Sequence, residues 1–403
     1  MINTDRIGEK SAAGRSGRGS KSWTTPIASP ITVGASLPLS QPSRLEARSR
    51  VILQTIISGA IKPAAGHLFI RFSEVPMSVL PLSTILAGPT AERLPHLKVV
   101  LAAPRGFCAG VVRAIDAVTD AIAHHGAPVY VRHAIVHNRA VIGDLERRGA
   151  IFVEELSDIP EGEVAILSAH GAPRRVWREG RDRALTLVDA TCPLVAKVHR
   201  EVIRHQRDGR HIVLIGHADH PEIIGTLGQI PPEGATVVHS VAQIADLPQP
   251  SDHPMAYAIQ TTYSVEDASL LVEALRVRFS DLAEPRSSDI CYATTARQAA
   301  VRHLAGTVDA MLIVGEDFSS NACRLADTAR AAGCASVQLV ATCDAICFQS
   351  LEGCAIVGVS AAASTPADSV DQVLSALAGR FRLSISEMDA EAESMTFKRV
   401  AVV

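Results

Sequence analysis

Three cysteines each sit between a short apolar run and an amphipathic stretch: Cys108, Cys192 and Cys291, 84 and 99 residues apart. That spacing suits three similar units, each offering one sulfur to a common centre. Three thiolates can hold a 4Fe-4S cube by three of its irons, whereas electron carriers normally use four Cys. The fourth iron is then open to a substrate, as the open position of catalytic zinc is. Each Cys lies near a predicted helix start, where the helix dipole favours the thiolate. Pro193 suits a first helical position after Cys192. The same side chains could equally be buried small hydrophobes, a common state of free Cys.

His137, His170 and His220 form a second set, in or just past predicted strand-end loops. Converging His side chains bind metals or donate hydrogen bonds to phosphate oxygens. Ser319, Ser320, Asn321 and Ser364 add hydroxyl and amide donors. Together they read as an anion pocket with little Lys or Arg. A satisfied local hydrogen bond explains any single His as well. Ser319-Ser320-Asn321 reads equally as a helix cap, and a helix N-terminus is itself an anion site. Glu222 follows His220 by two residues; it could relay protons or be a surface charge. Cys323, Cys334, Cys343, Cys347 and Cys354 read as core or incidental thiols, with Cys343 and Cys347 spaced to share a helix face. Asp116, Asp144 and Glu146 read as solvated helix charges.

Alternating elements must position these groups. The apolar runs at 98–102, 129–131, 164–167, 185–188, 211–215, 256–259, 310–314 and 355–359 read as strands. The amphipathic stretches at 111–124, 139–148, 194–206, 265–279, 295–304, 322–332 and 369–377 read as helices. Such alternation predicts parallel sheets covered on both faces, and more than one sheet for so many strands. Ligands of open α/β sheets bind beyond the carboxyl ends of strands, where nearly all the residues above fall.

Composition narrows the class. The chain has 403 residues, 47% hydrophobic and 20% charged, with a net charge of −3. That length predicts two or three domains. The charge gives no sign of a nucleic-acid surface, and 4% aromatic residues leave little for base stacking. The Cys spacing does not suit a secreted disulfide framework, so a reducing compartment such as the cytoplasm is expected. No apolar run is long enough to span a bilayer; the stretch 51–61 is short and carries Gln54, Thr55 and Ser58. Residues 1–95 stand apart as an extension. Its first fifty residues are rich in Ser, Gly, Arg and Pro, and three readings stay open: a disordered tail, an upstream-assigned start with Met77 as the true one, or an organelle transit peptide. A chain beginning at Met77 is expected to fold and work.

At this point several strings resemble one family. They are Pro104-Arg105-Gly106-Phe107-Cys108-Ala109-Gly110, Val136-His137-Asn138, Ser168-Ala169-His170-Gly171, Asp189-Ala190-Thr191-Cys192-Pro193, His220-Pro221-Glu222, Gln260-Thr261-Thr262 and Asp289-Ile290-Cys291-Tyr292-Ala293-Thr294. In this order and spacing, from about residue 98 to 377, they resemble 4-hydroxy-3-methylbut-2-enyl diphosphate reductases. The resemblance implies a trefoil of three pseudo-equivalent α/β units around an oxygen-sensitive 4Fe-4S cluster. It implies iron ligation by Cys108, Cys192 and Cys291. It implies diphosphate binding by His137, His170, His220, Ser319, Ser320, Asn321 and Ser364. Glu222 and Thr261 would handle protons and the substrate hydroxyl, and electrons would come from ferredoxin or flavodoxin.

The units are expected at about 96–191, 192–289 and 290–403, with the last stretch packed back on the first. Some positions depart from the family pattern: Val112, Ile224, Ala322, Cys323 and Ala362. Ala362 stands where Gly is usual. If that loop needs φ > 0, Ala would be strained there and diphosphate affinity would fall. The alternatives are quinolinate synthase, also a three-Cys cluster enzyme, a non-catalytic iron–sulfur carrier, and a zinc hydrolase using the same Cys and His set.

Overall fold

The computed structural model describes residues 94–247, 254–390 and 393–402. The expectations about residues 1–93, including Met77, the transit peptide and the 51–61 stretch, lie outside the described residues.

Among the described residues, all strand pairs are parallel and form three sheets. One holds β2 (Val129–Arg132), β3 (Ala150–Val153), β4 (Val164–Leu167) and β5 (Thr186–Asp189) in the order β3-β2-β4-β5. A second holds β6 (His211–Ile215), β7 (Ala235–Val238), β8 (Met255–Ile259) and β9 (Leu282–Ala283) in the order β7-β6-β8-β9. The third holds β10 (Ala310–Val314), β11 (Ser336–Val340), β12 (Ile356–Ala361), β1 (His96–Leu101) and β13 (Arg382–Glu387) in the order β11-β10-β12-β1-β13. The same order therefore repeats three times, with β1 taking the fourth place in the third sheet.

The strand at which the expected first unit begins sits in the third sheet. Strand β1 pairs with β12, Lys98 opposite Ile356 and Leu101 opposite Val359, and with β13. Its buried Leu97, Val99 and Leu101 join Leu312, Val314, Val357 and Val359 in one core. Burying such a side chain contributes ~1.5–3 kcal/mol, so the strand goes where an apolar slot is vacant. The next element, α1 (Ala109–His125), belongs to the first sheet: Ala114, Ala117, Val118 and Ala121 pack against Val129, Val131 and Ile166. The chain thus crosses from one unit to another at Cys108.

The other helices are α2 (Arg139–Arg147), α3 (Arg174–Asp182), α4 (Pro193–Arg207), α5 (Pro221–Leu227), α6 (Val241–Asp246), α7 (Val265–Arg278), α8 (Tyr292–Ala305), α9 (Ser320–Ala331) and α10 (Ala367–Ala378). The closing residues pack back on α1. Val400 and Val402 join its core, Arg399 pairs with Asp120, and Arg113 donates to the Lys398 carbonyl. Arg297 on α8 is fully buried and pairs with Glu393 while donating to the Gly106 carbonyl. Cys343 and Cys347 do not share a helix; Cys343 begins one short turn, 343–345, and Cys347 precedes another, 348–351. Phe348 follows Cys347, and both turns are too short to align residues four apart.

Candidate active site

The carboxyl ends of the three sheets open on one cavity. In chain order within each repeat, the segment after the first strand, loop and following helix start together, brings His137, then His220 with Glu222, then Ser319 to Asn321. The loop after the third strand brings His170, Thr261 and Ser364. The segment after the fourth brings Cys192, Cys291 and, through β1, Cys108. Every residue expected at the site lines this cavity, and one Cys follows each sheet.

Each Cys is the residue before a helix: Cys108 before α1, Cys192 before α4, Cys291 before α8. The dipole does not win, however. Burial pushes the Cys192 thiol up to about 12 and Cys291 up to about 11, with neighbouring sulfurs adding to the shift. Desolvation opposes any thiolate that lacks a counter-charge, and a helix terminus supplies only about half a charge. A metal would reverse this, because coordination deprotonates a thiol outright.

The fit for a bulky centre is visible at Gly110, where a Cβ would lie 2.9 Å from Cys192 Sγ and 3.7 Å from Cys108 Sγ. Two sulfurs bracket a backbone with no side chain. Tyr292, next to Cys291, accepts the Ala109 N–H at 3.3 Å and so stitches two of the helix starts together. Among the described residues, no three His, Cys, Asp or Glu side chains stand close enough together to hold one metal ion.

The polar half of the cavity is rich in donors. The His137 and His170 rings stack at 4.4 Å, and His220 stands edge-on to both at 5.8 Å. Burial lowers the pKa of all three; His220 falls to about 4 and His170 goes well below its usual value. All three are therefore neutral at pH 7. His220 Nδ1 accepts the Glu222 N–H at 3.2 Å, which leaves Nε2–H as its donor.

Ser319 caps α9 by accepting the Ala322 N–H at 3.4 Å, and Ser320 and Asn321 form the first turn, which holds no acid. The cap reading of this run therefore holds, and a helix N-terminus beside the cavity also suits an anion. Asn321 is buried, and neither its Oδ1 nor its Nδ2 has a partner. An unpartnered buried amide is costly unless a ligand satisfies it. Ser364 donates to the His137 carbonyl at 3.2 Å and lies 3.5 Å from Ser319 Oγ.

The feared strain at Ala362 is absent. The described non-glycine residues with positive φ are His133 and Ala184. The Ala322 and Ala362 methyls instead close on Gly315, 2.7 and 3.1 Å from where its Cβ would stand.

Glu222 is not on a loop but in the first turn of α5. It is buried, accepting the Thr261 N–H at 2.6 Å and the Thr261 hydroxyl at 2.8 Å. Burial raises its pKa to about 7, against those two hydrogen bonds. Sequence reasoning missed two helpers. Thr262 Oγ1 donates to Ser320 at 3.3 Å, and its signal was the Gln-Thr-Thr string itself. The Thr294 N–H donates to Cys291 Sγ at 3.3 Å. Its signals were its place at the end of the Asp289–Thr294 string and three residues after a helix-capping Cys.

Comparison with known proteins gives the family. A family described as LytB protein matches residues 99–378. The 4-hydroxy-3-methylbut-2-enyl diphosphate reductase of Paracoccus denitrificans is 47% identical over 307 residues, 76% of this chain and 97% of that protein. The chain belongs to the LytB, or 4-hydroxy-3-methylbut-2-enyl diphosphate reductase, family. Two solved structures share the fold of this reductase family. The E-1-hydroxy-2-methyl-but-2-enyl-4-diphosphate reductase of Plasmodium falciparum superposes with a TM-score of 0.72 at 34% identity, covering 76% of this chain and 96% of that one. A second, described as (E)-4-hydroxy-3-methyl-but-2-enyl diphosphate reductase, the terminal enzyme of the non-mevalonate pathway, has a TM-score of 0.52 at 30% identity, covering 70% and 99%. The expected α/β fold of three units is that of the reductase family, and the match sets quinolinate synthase aside. Among the described residues, no helix is long and apolar enough to cross a membrane.

Proposed function

We propose that this chain reduces 4-hydroxy-3-methylbut-2-enyl diphosphate to isopentenyl and dimethylallyl diphosphates, the last step of the non-mevalonate isoprenoid pathway. The reaction takes up two electrons and two protons, breaks the allylic C–O bond and releases the oxygen as water. The observation that carries this reading is the convergence of three sulfurs, a neutral set of phosphate donors and one buried carboxyl on a single cavity. A carrier that only passes electrons has no use for the last two.

In this reading Cys108, Cys192 and Cys291 hold a 4Fe-4S cluster, which when bound supplies electrons and one open iron position. His137, His170, His220, Ser319, Ser320, Asn321 and Ser364 hold the diphosphate. The unpartnered Asn321 amide supports that role, and so does the first turn of α9. Glu222, through Thr261, delivers a proton to the departing hydroxyl oxygen or to the allyl carbon. The Thr261 hydroxyl also orients the substrate oxygen. A ferredoxin or flavodoxin supplies the electrons, in the reducing cytoplasm that the free cysteines suit.

Anaerobic purification with an iron count and a visible spectrum tests the centre directly. Ser at Cys108, Cys192 or Cys291 is expected to lose iron and turnover, whereas Ser at Cys343 or Cys347 keeps both. Full iron occupancy with normal turnover in Cys192→Ser would sink the ligand assignment.

A further inference from the structure

Arg139 opens α2, two residues past His137, while Glu316, Asp317 and Phe318 fill the loop between β10 and α9. These segments belong to different sheets, yet several contacts tie them together. The Arg139 guanidinium pairs with Glu316, and the Arg139 N–H donates to the other Glu316 oxygen at 3.1 Å. The guanidinium also lies 3.7 Å from Asp317 Oδ1 and 4.7 Å from the centre of the Phe318 ring. That ring in turn meets His137 edge-on at 5.7 Å. The Glu316 carbonyl then accepts the Ser319 N–H at 3.1 Å, so the tie continues into the run of phosphate donors.

Exposure tells which partner is committed. The Glu316 side chain is 6% exposed and that of Arg139 is 66% exposed. An exposed pair would hold little, but a buried carboxylate is stable only with its partners in place. None of Arg139, Glu316 or Phe318 lines the cavity.

We propose that Arg139, Glu316 and Phe318 form a latch that holds the Ser319 to Asn321 donors in register with His137, and so sets affinity for the diphosphate without touching it. This rests on reading the cavity as a diphosphate site. The three are positioning residues: they order the loop before the ligand arrives, so less ordering is left to the binding step.

The test uses the iron-loaded full chain, with inorganic pyrophosphate titrated by calorimetry beside steady-state kinetics and the visible spectrum. Arg139→Ala and Glu316→Gln should each weaken pyrophosphate binding and raise KM by about tenfold, a typical size for a networked ion pair. In both, kcat and cluster absorbance should stay unchanged. Arg139→Lys should recover part of the loss, and the two changes together should be no worse than one, because each breaks the same link. Glu316→Gln also separates the latch from a simpler role. If Arg139 were a phosphate-binding cation restrained by Glu316, that variant would bind more tightly, and the latch would be overturned. Lost affinity in Asn321→Ala but not in the latch variants overturns the latch alone. Undiminished affinity in Asn321→Ala as well overturns the diphosphate reading, and the latch with it.

Discussion

Glu222 shows how a residue type becomes a function only through its surroundings. As a string, His220-Pro221-Glu222 offers a carboxyl of ordinary acidity. Folded, it is buried against Thr261 and its pKa stands at about 7. The protonated form is therefore populated below about pH 7 and lost above it. Turnover limited by proton delivery should fall as pH rises through that value, and Glu222→Gln should abolish this step in the profile. The same substitution should cost roughly 10²–10⁴-fold in kcat, the usual size of a general-acid effect. Pyrophosphate should still bind and the iron should remain. A profile that keeps its fall near pH 7 in the Gln variant would move the role to another group.

At the scale of elements, the sequence made the central strands and one edge strand, β5, legible, and left the other edge strands unread. The interior strands β4, β8 and β10 are buried at every position, so their apolar runs stand out. Strands β3, β7 and β11 each lie at a sheet edge and are only partly buried, and β13 is almost wholly exposed. Polar positions hid β11 and β13, whereas β3 (Ala-Ile-Phe-Val) and β7 are only four residues long and run straight on from a turn. Helix α3 buries only Val176 and Gly180, which leaves little periodicity to read. The site itself was legible because strand ends announce it, but the pairing of β1 was not, since nothing local in a strand names its neighbour.

The helix starts also carry predictions. In the first turn of α1, Gly110→Ala gains ~1 kcal/mol of helix propensity. Its methyl, however, meets Cys192 Sγ. The helix should persist by circular dichroism while iron content drops sharply; full iron content would show that the sulfur has room to move. Ala362→Gly should leave KM unchanged, since no left-handed backbone is relieved there. It should lower stability by about 1 kcal/mol through chain entropy and the lost methyl. A lowered KM with unchanged stability would restore the strain argument.

Across the whole molecule, the ends of the described chain are brought together around the site. The first strand completes the third sheet, and the last residues return to α1 and to buried Arg297. Removing residues 389–403 should therefore leave the Arg297 guanidinium without its carboxylate, a loss of about 3–5 kcal/mol for a buried pair. Thermal denaturation of the shortened chain checks this; an unchanged midpoint would mean that Arg297 is satisfied by carbonyls alone.

A last consequence follows from the neutrality of the three histidines. If the pocket takes a diphosphate as proposed, it meets a polyanion with dipoles rather than charges, on a chain whose net charge is −3. Nothing in it draws the ligand in from a distance, so capture depends on contact and not on steering. The Debye length shrinks from about 10 Å at 0.1 M salt to about 3 Å at 1 M. A site lined by Lys and Arg loses much of its association rate over that range, whereas this one should keep its own nearly flat in stopped-flow traces. A steep fall with ionic strength would mean that the histidines meet their ligand already protonated.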